Sequence, residues 1–295
     1  MIILEVQLLE AEPSLKAALK NFGFSGQRIK KFFSAKQLNT PVKKHQILKL
    51  PIDFVNSLEI NPNYEGEPCS ILFENEDYLA VHKPRNIHSH PLKYSDTNTV
   101  LNWLVTQQRW DVLNVNQEAY DRGLLHRLDF ETSGVLLLAK NNKIHLHFRE
   151  NFNNILKKKA YLAIVEGRFD KEGRHRHFFT SSEERGKKQI LSQSPAAQVA
   201  ESECYKVMDL STGLSLVLVL LKTGIRHQVR AQLSALGFPI LGDTLYGGKP
   251  SDRLYLHSWL YQWDRIIEDR NAELFSNFLD LDSAMKMATD KIGLL

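Results

Sequence analysis

The sequence predicts an α+β protein, a mixed and mostly antiparallel sheet with flanking helices, preceded by a small basic α/β module. Three observations carry that expectation. Beyond residue 66, strand-like runs are many and helical patterns few, which marks an α+β layout. No GxGxxG opens a strand–helix unit there, so nothing points to a dinucleotide-binding sheet. The stretch Asn61-Pro62-Asn63-Tyr64-Glu65-Gly66-Glu67-Pro68 is rich in turn formers and acids and breaks both periodicity and charge sign, which sets a boundary between residues 1–62 and 63–295.

In the first module Leu15, Leu19 and Phe22 recur at helical spacing. Ser25 offers an N-cap to a second helix with Ile29, Phe32 and Phe33 on one face and Arg28, Lys30 and Lys31 mainly on the other. In the larger domain, Ile71 to Phe73 and Tyr78 to Val81 flank Glu74-Asn75-Glu76-Asp77 and read as a hairpin. Gly134 to Ala139 is a short continuous apolar run, as for a strand covered on both faces. Lys143 to Leu156 carries helical spacing in Ile144, Phe148, Phe152 and Ile155. Strand-like runs resume at Tyr161 to Val165, Gln198 to Val207 and Leu214 to Leu221, before a helix from about Arg226 to Leu236.

A chain of 295 residues that is 43% hydrophobic and 24% charged reads as a soluble globular protein rather than a disordered one. Its net charge of +4 says little about partners, but the distribution says more. Between Pro13 and Ile52 every formal charge is positive, whereas Asp264, Glu268, Asp269, Glu273, Asp280 and Asp282 make an acidic C-terminal extension. A one-sided basic head is the footprint of a phosphate-binding surface, and Lys30 and Lys31 are its candidate RNA contacts. Cys69 and Cys204 stand apart with no CxxC spacing, and Met1 to Leu9 lacks a basic leader, so a reducing, cytoplasmic setting is expected. No apolar run approaches the roughly 20 residues of a spanning helix, so no membrane partner is expected.

Asp129 lies between Leu124-Leu125 and the Gly134 run, with Arg127 before it and Thr132-Ser133-Gly134 after it. Small polar residues there permit a tight turn that presents a carboxylate at a strand edge. By itself such an Asp is more often a structural ion-pair or turn-capping group. The longer run His126-Arg127-Leu128-Asp129-Phe130-Glu131-Thr132-Ser133-Gly134, followed by Leu136, Leu138, Ala139 and Lys140, resembles the signature of RluA-type RNA pseudouridine synthases. Further segments agree in order and spacing: Val81-His82-Lys83-Pro84 with His90-Pro91, Lys159 to Gly167, Leu221 to Arg230, and Gly237 to Gly247. The resemblance spans residues from about 71 to 260.

The resemblance implies a pseudouridine-synthase-like fold and an intramolecular transferase that isomerises uridine in structured RNA, ribosomal most of all and transfer RNA as a second option. Asp129 is then the nucleophile, a type of group suited to an electron-poor sugar carbon, although the residues leave open whether it attacks the ribose or the pyrimidine. Arg230 is expected to pair with Asp129 through a bidentate fork. Tyr161 is expected against the uracil ring, with its hydroxyl within reach of carbon 5. Arg127 is expected to fill the stack vacated by the extruded base or to contact phosphate, with His126 and Arg226 also toward RNA and Leu256 closing the apolar side of the uracil pocket. The family usually carries Arg directly after Thr-Gly, whereas Ile225 stands here and Arg226 follows. The scheme requires no cofactor, nucleotide or metal, and a monomer is the default. The first module resembles the small αL RNA-binding domain, although Ala35 to Pro41 stand where that domain carries its Gly and Asn-Gly turn.

The pairs His88 and His90, His145 and His147, and His175 and His177 lack the carboxylate or thiolate partners of a ligand set, so solvated or phosphate-facing roles are expected. The basic middle region, including Lys157, Arg168, Arg174, Arg176, Arg185 and Lys187 with Phe178 and Phe179, is solvated surface or part of an RNA groove. Two alternatives remain at this point. One is a non-catalytic RNA-binding or ribosome-assembly protein that retains the fold, and the other is a nucleoside glycosidase that would release free uracil.

Overall fold

The computed structural model describes residues 3–56, 58–151, 155–182, 188–210, 213–270 and 281–293. Arg185 and Lys187 of the basic middle region, and Glu273 and Asp280 of the acidic extension, lie outside them.

At the N-terminal end β1 (Ile3–Gln7) pairs antiparallel with β2 (Ile47–Pro51). Between them run α1 (Leu15–Asn21), α2 (Gly26–Phe32) and α3 (Ala35–Leu38), and α4 (Ile52–Val55) follows. Each of α1 to α3 begins on a serine whose hydroxyl accepts an orphan amide: Ser14 from Ala17, Ser25 from Arg28, Ser34 from Gln37. Leu19, Ile29, Leu50 and Phe54 close a small core, and the rings of Phe24, Phe32 and Phe33 lie 4.4, 5.5 and 5.0 Å from that of Phe54. Arg28 does not remain on the basic face. Its guanidinium donates to the carbonyls of Phe54 and Val55, which the short α4 leaves unpaired. Polar latches tie this module to the rest. Asp53 accepts the amide and hydroxyl of Ser95 at 2.7 and 3.1 Å, and the Asn102 side chain donates to the Asn61 carbonyl at 2.7 Å.

The larger domain is built on one sheet of β3 (Ser70–Glu74), β4 (Tyr78–Lys83), β5 (Ser133–Ala139), β6 (Lys158–Glu166), β7 (Gly173–Ser181), β8 (Gln189–Leu191), β9 (Gln198–Leu210), β10 (Leu214–Leu221), β11 (Leu256–Gln262) and β12 (Ile266–Glu268). The strand order is β3-β4-β5-β11-β6-β10-β9-β7-β8, with β12 beside β11. Among these strands β5 and β11 pair parallel and the others antiparallel. The helices are α5 (Val100–Thr106), α6 (Trp110–Leu113), α7 (Asn142–Glu150), α8 (Gln228–Ala235) and α9 (Leu281–Ile292).

β5 is buried along its whole length, and its alternate residues serve two cores. Leu136 and Leu138 join the main core with Leu104, Leu218 and Trp259, while Val135, Leu137 and Ala139 face Phe148, Tyr261 and Trp263. Asn151 closes α7 on the His147 carbonyl, Ile155 is again helical with its amide donating to the Asn151 carbonyl at 2.9 Å, and Leu156 reaches the same core beyond them. Phe152 lies outside the described residues. Where β5 meets β11, Gly134 has φ +116°, and a Cβ there would strike the Ser258 carbonyl oxygen, so the motif's glycine is a close-approach position. Beside it the Ser133 hydroxyl meets buried His257 Nδ1 at 2.9 Å, and buried Asp269 holds His82 at 2.5 Å.

Candidate active site

Asp129 occupies the loop that leads into β5 and is about a quarter exposed, its side chain being 26% accessible. The loop is pinned from below. The Ser89 hydroxyl accepts the Leu128 amide and donates to the Leu128 carbonyl, both at 3.1 Å, and the Thr132 amide donates to the Asp129 carbonyl at 3.2 Å. Lys83, fully buried at the end of β4, donates to the carbonyls of Pro84, Ile87 and Phe130 at 2.9, 2.8 and 3.2 Å. Burial pulls its pKa down to about 7, opposed by the nearby Cys69 sulfur and the Asp129 carboxylate. An ammonium has three protons, and three carbonyls receive them.

The basic wall comes from the start of α8. Arg230 was expected to fork onto Asp129, but its fork goes to Asp243. Nε and Nη2 each donate at 2.7 Å to one oxygen of that fully buried carboxylate. Nη2 also lies 3.2 Å from Glu131, and Asp129 is close enough to help raise the Arg230 pKa. The physical reason is burial: a carboxylate without water needs both oxygens satisfied, whereas Asp129 retains solvent. His227 caps α8 in the left-handed region (φ 54°, ψ 23°) and brings Nε2 to 3.8 Å from Asp129 Oδ1.

Tyr161 lies in the middle of β6, paired with Ser258 of β11 and 8% exposed. Burial raises the pKa of its hydroxyl, hydrogen bonding to Tyr261 and Ser258 opposes that shift, and the charge of Asp129 adds to it. The hydroxyl is 3.0 Å from that of Tyr261, which is 3.3 Å from His126 Nδ1, and the His126 ring stacks on Tyr261 at 4.4 Å. His126 Nε2 accepts the Leu137 amide at 3.2 Å, so in the neutral ring the proton is on Nδ1, facing Tyr261. Burial and nearby Lys159 push the His126 pKa down to about 3. His126, expected among the RNA contacts, therefore has both ring nitrogens engaged inside the protein, behind Tyr161.

The other expected residues are dispersed. Arg127 and Arg226 are exposed beside Asp129 and His227 in sequence. Ile225 packs against Phe179, Ala200, Ala231 and Tyr246, so the position after Thr-Gly fills an apolar gap and Arg226 takes the outward direction. Leu256 is buried in the main core at the start of β11. Lys30 and Lys31 are exposed on the N-terminal module, where Lys30 and Lys16 line an open cavity of ≈ 270 Å³ with Phe33. Sequence reading gave no role to Lys83, His227, Asp243 or Tyr261. The signal for Asp243 was present in the Gly242-Asp243 match, but a single acid between turn residues does not announce which cation it holds.

The RNA pseudouridylate synthase family model matches residues 77–235. The chain is 31% identical over 249 residues to "Ribosomal large subunit pseudouridine synthase D" of Borreliella burgdorferi, covering 79% of this chain and 72% of that protein. It is 32% identical over 239 residues to the RNA pseudouridine synthase YhcT of Bacillus subtilis, covering 79% and 76%. Among solved structures, "Human RNA Pseudouridylate Synthase Domain Containing 1" has the same fold, with a TM-score of 0.57 at 23% identity over 75% of this chain and 95% of that one.

Proposed function

From its membership of the RNA pseudouridine synthase family, to which this chain belongs, we propose that the enzyme acts on ribosomal RNA through the carboxylate of Asp129. The chain forms pseudouridine in RNA: the bond between ribose and uracil N1 opens, the uracil turns, and carbon 5 is joined to the ribose. Net composition is unchanged, because the proton lost from carbon 5 is matched by one gained at N1. The choice of ribosomal RNA follows from the name of the Borreliella relative, a ribosomal large subunit pseudouridine synthase.

The observation that supports Asp129 is its setting. It is a partly exposed carboxylate on a loop fixed by Ser89 and Lys83, with His227 at 3.8 Å and Arg230 nearby. Such a group meets the sugar carbon as positive charge develops there and is returned unchanged when carbon 5 closes the new bond. Tyr161 offers a ring for the uracil. Because burial raises its pKa, it serves as a neutral hydroxyl, backed by Tyr261 and His126, rather than as a phenolate base. Arg127 and Arg226 face the RNA, Leu256 backs the uracil pocket, and residues 1–62 act as a separate RNA-binding module through Lys30 and Lys31. The enzyme works as a cytoplasmic monomer without a nucleotide cofactor.

The test is to map pseudouridine by carbodiimide-dependent reverse-transcription stops in cells lacking the gene, then to restore wild type or Asp129→Asn. A site that vanishes with the gene returns with wild type only. Its return with the Asn variant sinks the assignment of Asp129, and stops confined to transfer RNA sink the choice of RNA.

A further inference from the structure

Residues 242–248 form a tight turn behind the Asp129 loop that grips both basic groups near the carboxylate. Asp243 holds Arg230 through both its oxygens, and the Tyr246 ring lies 5.4 Å from the Arg230 guanidinium carbon. The turn is itself fixed: the Tyr246 amide donates to the Asp243 carbonyl at 3.1 Å, and the Ser234 hydroxyl donates to the Tyr246 carbonyl at 2.7 Å. The Tyr246 hydroxyl oxygen accepts the Gln189 amide at 2.7 Å and lies 3.1 Å from His227 Nδ1. With one lone pair accepting from Gln189, the hydroxyl still has its proton to offer Nδ1, and the carboxylate facing Nε2 can only accept, which favours the ring proton on Nε2 and leaves Nδ1 bare to accept from Tyr246. The proton of the neutral imidazole is then on Nε2, the atom 3.8 Å from Asp129 Oδ1. His227 has a left-handed backbone, a strained conformation for a residue with a Cβ, and that conformation aims the ring at the carboxylate.

We propose that Tyr246 is a positioning residue for the reaction: it locks His227 in the Nε2-protonated tautomer, so that one oxygen of Asp129 faces a donor and the other is left for substrate. This rests on Asp129 being the reactive carboxylate. The surroundings agree with a neutral ring. Burial lowers the His227 pKa and Arg230 and Arg226 lower it further, against Asp129 and Asp243, while burial raises the Tyr246 pKa and keeps it a phenol.

The test uses the full chain with nitrogen-labelled histidine and long-range proton–nitrogen spectra, the His227 signals being assigned by their loss in His227→Gln. The wild-type ring shows a protonated Nε2 and a bare Nδ1. Tyr246→Phe keeps the ring and removes the hydroxyl, so the His227 signals move toward a mixture of tautomers. On large-subunit ribosomal RNA transcripts carrying tritium at uridine carbon 5, kcat for tritium release falls about tenfold with KM unchanged, the size expected for one lost hydrogen bond. His227→Gln, whose amide reaches the Nε2 position, retains more turnover than His227→Asn, which reaches only the Nδ1 position. Unmoved His227 signals in Tyr246→Phe, a protonated Nδ1 in wild type, or His227→Asn outperforming His227→Gln each overturn the proposal. The wild-type spectrum and the Gln/Asn pair decide the matter if Tyr246→Phe does not fold. Asp129→Asn in the same assay separates the two readings: if it retains turnover, the role of Asp129 falls while the spectra still judge the tautomer.

Discussion

The placement of Asp129 on a loop leading into a strand was legible, because Leu124-Leu125 and the apolar Gly134 run bracket it locally. The partner of Arg230 was not, because Asp129, Glu131 and Asp243 are all carboxylates within reach of one guanidinium, and the sequence does not rank their burial. Desolvation made the choice, giving the fork to the carboxylate with no water. Arg230→Met leaves Asp243 charged and alone, and a loss of about 3 kcal/mol or more in urea unfolding is expected, as for other broken buried pairs. Lys83 makes a comparable case with three carbonyls instead of an anion. Lys83→Met is expected to cost about 2–3 kcal/mol through unsatisfied carbonyls and to lower kcat in the tritium-release assay, since the Phe130 carbonyl that it holds adjoins Asp129.

At the scale of elements, β5, β6 and β10 were readable as apolar runs because strands buried on both faces show no alternation to misread. The break at Asn151 was not, because Ile155 and Leu156 continue the apolar spacing past the point where Asn151 caps α7. β11 was missed as a strand: Leu256-His257-Ser258-Trp259 carries two polar residues whose burial depends on Ser133, Asp269 and Val135, all distant in sequence. Gly134→Ala tests the crossing of β5 and β11. A Cβ that meets backbone, added at positive φ, is expected to cost about 2 kcal/mol or more and to lower the melting temperature. For the N-terminal module, the Lys30→Glu, Lys31→Glu double variant is expected to weaken RNA binding and to flatten the logarithmic salt dependence by about one to two units. Unchanged affinity at low and high salt would remove the module's RNA role.

Over the whole molecule, fully buried His257 and half-buried His126 link stability to pH. Burial leads the downward shift of His257 to about 4 and of His126 to about 3, below the ordinary value of about 6.5. The unfolded chain therefore binds protons that the folded chain refuses between pH 6.5 and 4. Stability falls as the pH drops through that window and is recovered above it. In urea unfolding between pH 6.5 and 5, His257→Gln is expected to show a shallower slope, by up to about 1.4 kcal/mol per pH unit for one proton.

The central position of β11 has a consequence for synthesis on the ribosome. A nascent chain ending at Tyr255 already contains Asp129, Tyr161 and Arg230, yet lacks the strand that separates β5 from β6 and against which Gly134 and Tyr161 find their register. Such a chain has the proposed site residues and no assembled cleft, so a polypeptide arrested there is expected to release no tritium. On that expectation, an enzyme made beside ribosomal RNA is held inert until translation has delivered its last central strand.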